Sequence, residues 1–129
     1  MNNPDQAFIE RFYQEAIKLL VESRAYLQGQ AVHDTNSISP DYGLFITTET
    51  TRVTARLTEI IAWLLAYKAM SGTNYLQLYR AAPKLSQDPD CMEDSVANST
   101  HPLPHQLNYL LTETRNLYLR LLRLEQSGE

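Results

Sequence analysis

Residues 40 to 70, "PDYGLFITTETTRVTARLTEIIAWLLAYKAM", constrain the fold more than any other stretch, because only one backbone geometry sorts their side chains. Thr occupies five of the eight positions from Thr47 to Thr54, yet the segment lacks the two-residue alternation of a strand, and no turn signal follows it. At 100° per residue three faces separate. Ile46, Val53, Leu57, Ile60, Ile61, Leu64 and Leu65 form an aliphatic arc. Thr51, Ala55, Thr58, Ala62, Ala66 and Ala69 form a stripe of small residues. Phe45, Glu49, Arg52, Arg56, Glu59, Trp63, Tyr67 and Met70 form a mixed charged and aromatic band. Ser39-Pro40-Asp41 supplies a cap, a first-turn proline and an acid, so helix two is expected over about 40–70, with a length of about 45 Å. Each Thr costs up to roughly 0.7 kcal/mol in helix propensity, so burial is expected to override local preference, each hydroxyl bonding a carbonyl one turn back and so able to enter a close helix contact.

The flanking segments predict two more long helices. Asn3-Pro4-Asp5-Gln6 reads as a helix start. Phe8, Phe12, Ala16, Leu19, Leu20, Tyr26 and Leu27 then carry helix one over about 4–28, to the stop at Gly29. Residues 30–38 read as a polar linker. Leu103, Leu107, Leu110, Thr114, Leu117, Leu121 and Leu124 alternate four- and three-residue steps, the seam of helix three over about 104–125. A short helix is expected over about 74–82, and a mobile acidic loop over about 84–102. The expected fold is all-α: a single-domain antiparallel three-helix bundle with a long central helix.

Composition narrows the functions. The net charge is −4, and residues 86–100 hold Asp88, Asp90, Glu93 and Asp94, so the other eleven acids match the eleven bases. With no clustered Lys and Arg, nucleic-acid binding is not expected. The longest apolar run, Ile60 to Tyr67, is far too short for a membrane span, and the N-terminal residues lack the pattern of a secretory signal, so a cytoplasmic protein is expected. The lone Cys91 permits no internal disulfide, and its acidic neighbours favour a mobile free thiol over a reactive thiolate. His101 and His105 have metal-ligand spacing, but Pro102 and Pro104 break any helix across them. No catalytic residue, metal or cofactor is expected. Glu49 with Arg52, and Arg56 with Glu59, are spaced to pair within one helix. With Trp63 and Tyr67 they combine the residue types that anchor protein interfaces, which makes Glu49, Arg52, Arg56, Glu59, Trp63 and Tyr67 the interface candidates. An alternative reading sets Arg52 and Arg56 as an anion clamp in a small-ligand-binding helical bundle.

"ETTRVTARLTEIIAWLL", residues 49–65, resembles the helix-two pattern of the alphaproteobacterial RcdA family, the regulators of CtrA degradation. Glu49, Arg52, Thr54, Arg56, Leu57, Trp63, Leu64 and Leu65 fall on that pattern, supported by "LVESRAYLQGQ" and "LPHQLNYLLTETRNLYLRLLRLE". The resemblance implies a homodimeric three-helix bundle that acts without catalysis as an adaptor in regulated proteolysis. In that role the family helps deliver cell-cycle regulators to the ClpXP protease, through other adaptor and response-regulator proteins. Two departures stand out: members often carry a longer mobile C-terminal tail where this sequence ends at Glu129, and the segment after Gly29 lacks the family's usual Arg.

Overall fold

The computed structural model describes residues 6–35, 39–69, 84–87, 89–92 and 103–127. Within them the protein is all-helical: α1 (Gln6–Gln28), α2 (Gln30–Thr35), α3 (Pro40–Ala69), α4 (Pro89–Met92) and α5 (His105–Ser127). The expected short helix over 74–82 and the cap at Asn3-Pro4-Asp5 lie outside the described residues.

The Thr-rich opening of α3 and its tryptophan-bearing end form one unbroken helix of 30 residues. Ser39 Oγ accepts from the Tyr42 N–H at 3.2 Å, the N-cap the sequence calls for. The threonines bond backwards as expected: Thr47 to Gly43 O at 3.0 Å, Thr48 to Leu44 O at 2.9 Å, Thr51 to Thr47 O at 3.0 Å and Thr54 to Thr50 O at 3.1 Å. The bonds of Thr48, Thr51 and Thr54 are exposed and that of Thr47 is partly buried, so the back-bonding satisfies these hydroxyls at the surface of the monomer.

α1, α3 and α5 pack against one another around a single apolar core. Ile46, Ile60 and Leu64 of α3 meet Ala16 of α1 and the seam residues Leu107, Leu117 and Leu121 of α5, all fully buried. On α1 the periodic residues split: Phe12, Leu19 and Tyr26 are buried, whereas Phe8, Leu20 and Leu27 remain 42–46% exposed at the edges of its apolar face.

Cross-helix bonds fix the directions. Tyr109 reaches Glu22, and Arg120 pairs with Glu15, so α5 runs antiparallel to α1. Lys68 pairs with Glu10 at 2.7 Å, so α3 also opposes α1. Between α3 and α5, however, Arg56 meets Thr114, Glu59 meets Tyr118 and Trp63 meets Glu125, a register that rises together in both helices. They run parallel, which corrects the fully antiparallel expectation. Parallel neighbours need a long return path, and the stretch between Ala69 and His105 provides it.

The polar linker over 30–38 is likewise corrected, since its first six residues form α2. Ala31 and Asp34, three residues apart, turn inward. Asp34 accepts from the Tyr26 hydroxyl at 2.7 Å and from Gln30 Nε2 at 3.0 Å, so a buried carboxylate holds α2 to α1 across the break at Gly29. Burial, with the Asp34 carboxylate second, pushes the Tyr26 hydroxyl well above its ordinary value of 10.0. Tyr26→Phe removes a donor to a buried acid and is expected to cost about 1–3 kcal/mol, read as a lower urea midpoint with an unchanged m-value.

Candidate functional site

The charged and aromatic band of α3 forms a grip. Residues 84–87 and 89–92 run back over the groove between α3 and α5, from the far ends of both helices toward their middles, as a strap. The band, together with residues of α5, holds that strap along its length.

Arg56 is the centre of the grip and has no exposed surface. Its Nε donates to Cys91 O at 3.0 Å, and its Nη1 to Leu111 O at 2.8 Å and to Thr114 Oγ1 at 3.3 Å. One planar guanidinium thus ties α3, α4 and α5 together, a task its fixed fork of donors suits better than a lysine would. Thr114 completes the joint by returning its own hydroxyl to Leu110 O at 2.7 Å. Arg115 Nε donates to Met92 O at 3.3 Å, so arginines from two helices cap the last carbonyls of α4.

One turn along, Glu59 gathers donors from the strap and from α5. The Ser86 N–H lies at 2.8 Å, the Tyr118 hydroxyl at 3.2 Å and the Cys91 thiol at 3.4 Å, and the Ser86 hydroxyl makes a further short bond. Burial alone would raise the Glu59 carboxyl, but the bonds from Ser86, Cys91 and Tyr118 together outweigh it and hold the group below its ordinary 4.5. Burial, with the nearby Glu59 charge also contributing, pushes the Tyr118 hydroxyl up to about 12, against the opposing pull of the Gln87 N–H that it accepts at 3.0 Å. Gln87 sits at φ 57°, a left-handed residue at which the strap turns.

Beyond Glu59, Trp63 Nε1 donates to Glu125 Oε2 at 3.0 Å, and the same oxygen accepts the Leu85 N–H at 3.0 Å. Trp63 stacks on Tyr67 with ring centroids 5.4 Å apart. Glu49, almost fully buried, pairs with Arg52 at 3.2 Å, as its spacing predicts. Of the six interface candidates, Glu49, Arg56 and Trp63 are therefore buried within the chain, and Arg52, Glu59 and Tyr67 are partly exposed.

Two expectations about the acidic segment change. Cys91, read as a mobile thiol, is a free thiol with 1% of its surface exposed, in α4. Leu85 is buried as well, and bonds from residues 85–87 to Glu125, Glu59 and Tyr118 hold that part of the segment onto the helices. Sequence reasoning missed Leu85, Ser86, Tyr118 and Glu125, the partners of the band. The available signal was Leu85 together with Cys91-Met92, apolar residues in an otherwise polar stretch. The anion-clamp reading meets a physical obstacle: an anion reaching Arg56 would have to displace the Cys91 and Leu111 carbonyls from a fully buried side chain.

On the opposite side of α3, Thr58 and Ala62 of the small-residue stripe stay open. Leu20 and Leu27 of α1 and Leu57, Ile61, Ala62 and Leu65 of α3 line a shallow groove of about 640 Å³. Leu65 is 47% exposed there, and Ser23, 95% buried at its floor, has a hydroxyl without a hydrogen-bond partner among the described residues.

The family described as "Protein of unknown function (DUF1465)" matches residues 2–128. The chain belongs to this family. The RcdA family is the same one, so the resemblance carried by residues 49–65 is shown. The crystal structure of RcdA from Caulobacter crescentus CB15 is similar over 92% of this chain and 88% of that chain, with a TM-score of 0.71 and 28% sequence identity. Comparison with curated proteins gives no match.

Two measurements check the grip. Arg56→Ala takes the buried donor from the Cys91 carbonyl and from α5 and opens a cavity, and is expected to cost about 3–5 kcal/mol in chemical denaturation. Glu59, held low in the folded state, stabilises the strap above its ordinary 4.5, and that contribution is lost as pH falls through its folded value. Emission from the single tryptophan, Trp63, should therefore shift in the acid range, and Glu59→Gln should be less stable at neutral pH with a shallower acid dependence.

Proposed function

We propose that this protein is a non-enzymatic adaptor of the RcdA type: a cytoplasmic homodimer that holds proteins together and assists ClpXP-dependent proteolysis of a cell-cycle regulator. The observation that carries the reading is the contrast between the two sides of α3. On one side Arg56, Glu59 and Trp63 spend their polar atoms on the strap and on α5. On the other, leucines and small residues lie open in a groove that a helix can enter. Such a division suits a binding scaffold, with polar groups consumed in holding a shape and apolar surface left for contact. The likeness to RcdA over most of both chains supports transfer of the adaptor role.

The groove between α1 and α3 is the dimer face in this reading. Its Thr and Ala residues let a second α3 approach closely, while Leu20, Leu27 and Leu65 interdigitate across a two-fold axis. Arg52, Glu59 and Tyr67, partly exposed at the strap side, remain for protease-adaptor or response-regulator partners, and Glu49, Arg56 and Trp63 shape that surface from beneath.

Leu65→Asp tests the proposal without touching the core, since the side chain is about half exposed. The wild-type chain should elute as a dimer in light-scattering chromatography and capture its partners from native extract. The variant should be monomeric, melt within a few degrees of wild type and lose at least about tenfold in partner capture. An unchanged mass with unchanged capture would overturn the groove as dimer face. Ser23→Ala should raise monomer stability by about 1 kcal/mol, because it removes an unsatisfied buried hydroxyl.

A further inference from the structure

The seam between the start of α1 and the end of α5 carries a second surface that neither the strap nor the groove uses. Phe8 is 46% exposed and packs against Phe12 with ring centroids 5.6 Å apart. The Arg11 guanidinium lies over the Phe8 ring at 5.1 Å, and that of Arg120 over the Phe12 ring at 5.5 Å. With Glu15 these residues line a cleft of about 210 Å³. We propose that this cleft docks a short acidic protein segment bearing one aromatic side chain.

The argument begins with the arginines. A guanidinium stacked flat on an aromatic ring keeps its in-plane N–H groups pointing outward, where they accept a carboxylate in bidentate geometry. The Arg11 guanidinium carbon lies over the Phe8 ring, 5.1 Å from its centroid, and no carboxylate pairs with Arg11 among the described residues. Arg120 is paired with Glu15, but both side chains are 43% exposed, and an exposed pair is weak enough for an incoming carboxylate to displace Glu15.

Charge at this end extends beyond the cleft. Lys18 follows Arg11 by two turns and Arg123 follows Arg120 by three residues, all on corresponding helix faces and all exposed. Of the nearby acids, Glu10 is paired with Lys68, Glu22 stands one turn, about 6 Å, beyond Lys18, and Glu113 about 10 Å from Arg120. Four cations against Glu15 make a basic spot on a chain whose net charge is −4, and charge complementarity selects an acidic occupant.

The exposed Phe8 selects among acidic occupants. A nucleic acid is held by many phosphate contacts along an extended basic track, whereas this spot is short and built around aromatic rings. The cleft beside Phe8 and Phe12 has room for a single ring, and an aromatic anchor among arginines is the usual centre of a protein contact. The groove on the far side of α1 takes no part, so this surface stands independently of the proposed dimer.

Titrating the full-length chain into a fluorescein-labelled peptide Asp-Glu-Asp-Phe-Asp-Glu-Asp, read by fluorescence anisotropy, tests the proposal. Saturable binding is expected, weakening several-fold between about 50 and about 200 mM salt. Arg11→Glu should reduce affinity at least tenfold, as should Ala in place of Phe in the peptide. Both Phe8 and Arg11 are exposed, so circular dichroism of Phe8→Ala and Arg11→Glu should match wild type, and Arg11→Lys should recover only part of the affinity. Leu65→Asp should bind the peptide as wild type does, which separates this site from the groove. The proposal is overturned if binding is not saturable, if Arg11→Glu binds equally well, or if a duplex DNA oligonucleotide of matched charge competes as strongly as the peptide.

Discussion

A single guanidinium holds this fold in its register. Arg56 lies at the point where α3, α4 and α5 meet, fully buried, donating to a strap carbonyl and to a carbonyl and a hydroxyl of α5. Taking a charge out of water is costly, and the cost is tolerable only where several well-placed acceptors surround it. Those acceptors exist only when the strap lies in its groove and α5 stands one particular way beside α3. The arginine therefore acts less as a source of net stability than as a constraint on arrangement, because sliding any of the three elements leaves it uncompensated.

The neighbouring carboxylates extend that constraint in both directions. Glu59 collects strap and α5 donors one turn along, and Glu125 of α5 receives both the Trp63 indole and the Leu85 N–H. Strap backbone groups that packing would otherwise strip of water find side-chain acceptors, as buried N–H groups require. This explains why a helix surface rich in charges is more buried than one rich in Ala and Thr, the reverse of the usual order.

Periodicity made the three long helices legible. The α3 arc, the leucine seam of α5 and the cap at Ser39 all describe local backbone preference and one-sided burial, which a sequence states directly. Two readings went astray because they depended on partners distant in the chain. The band on α3 has the composition of an interface, and its Arg56 and Trp63 bond the same chain some thirty to sixty residues later. Residues 30–35 look like a linker until Tyr26 is seen to donate to Asp34. The parallel course of α3 and α5 was hidden for the same reason: spacing along a helix shows which face is apolar, and says nothing of which way its neighbour points. The docking cleft at Phe8 was harder still, since an aromatic at helical spacing reads as core until its position at the mouth of the seam is known.

The pinned strap also alters how freely the chain can vary in length. Anchoring residues 85–87 and 89–92 midway divides the long passage from Ala69 to His105 into two shorter spans, each beginning and ending at a fixed point. Closure entropy grows only with the logarithm of span, about 0.6 kcal/mol for each doubling. A change in the length of either span thus alters the closure cost by only a fraction of a kcal/mol and leaves the bonds that pin the strap as they are.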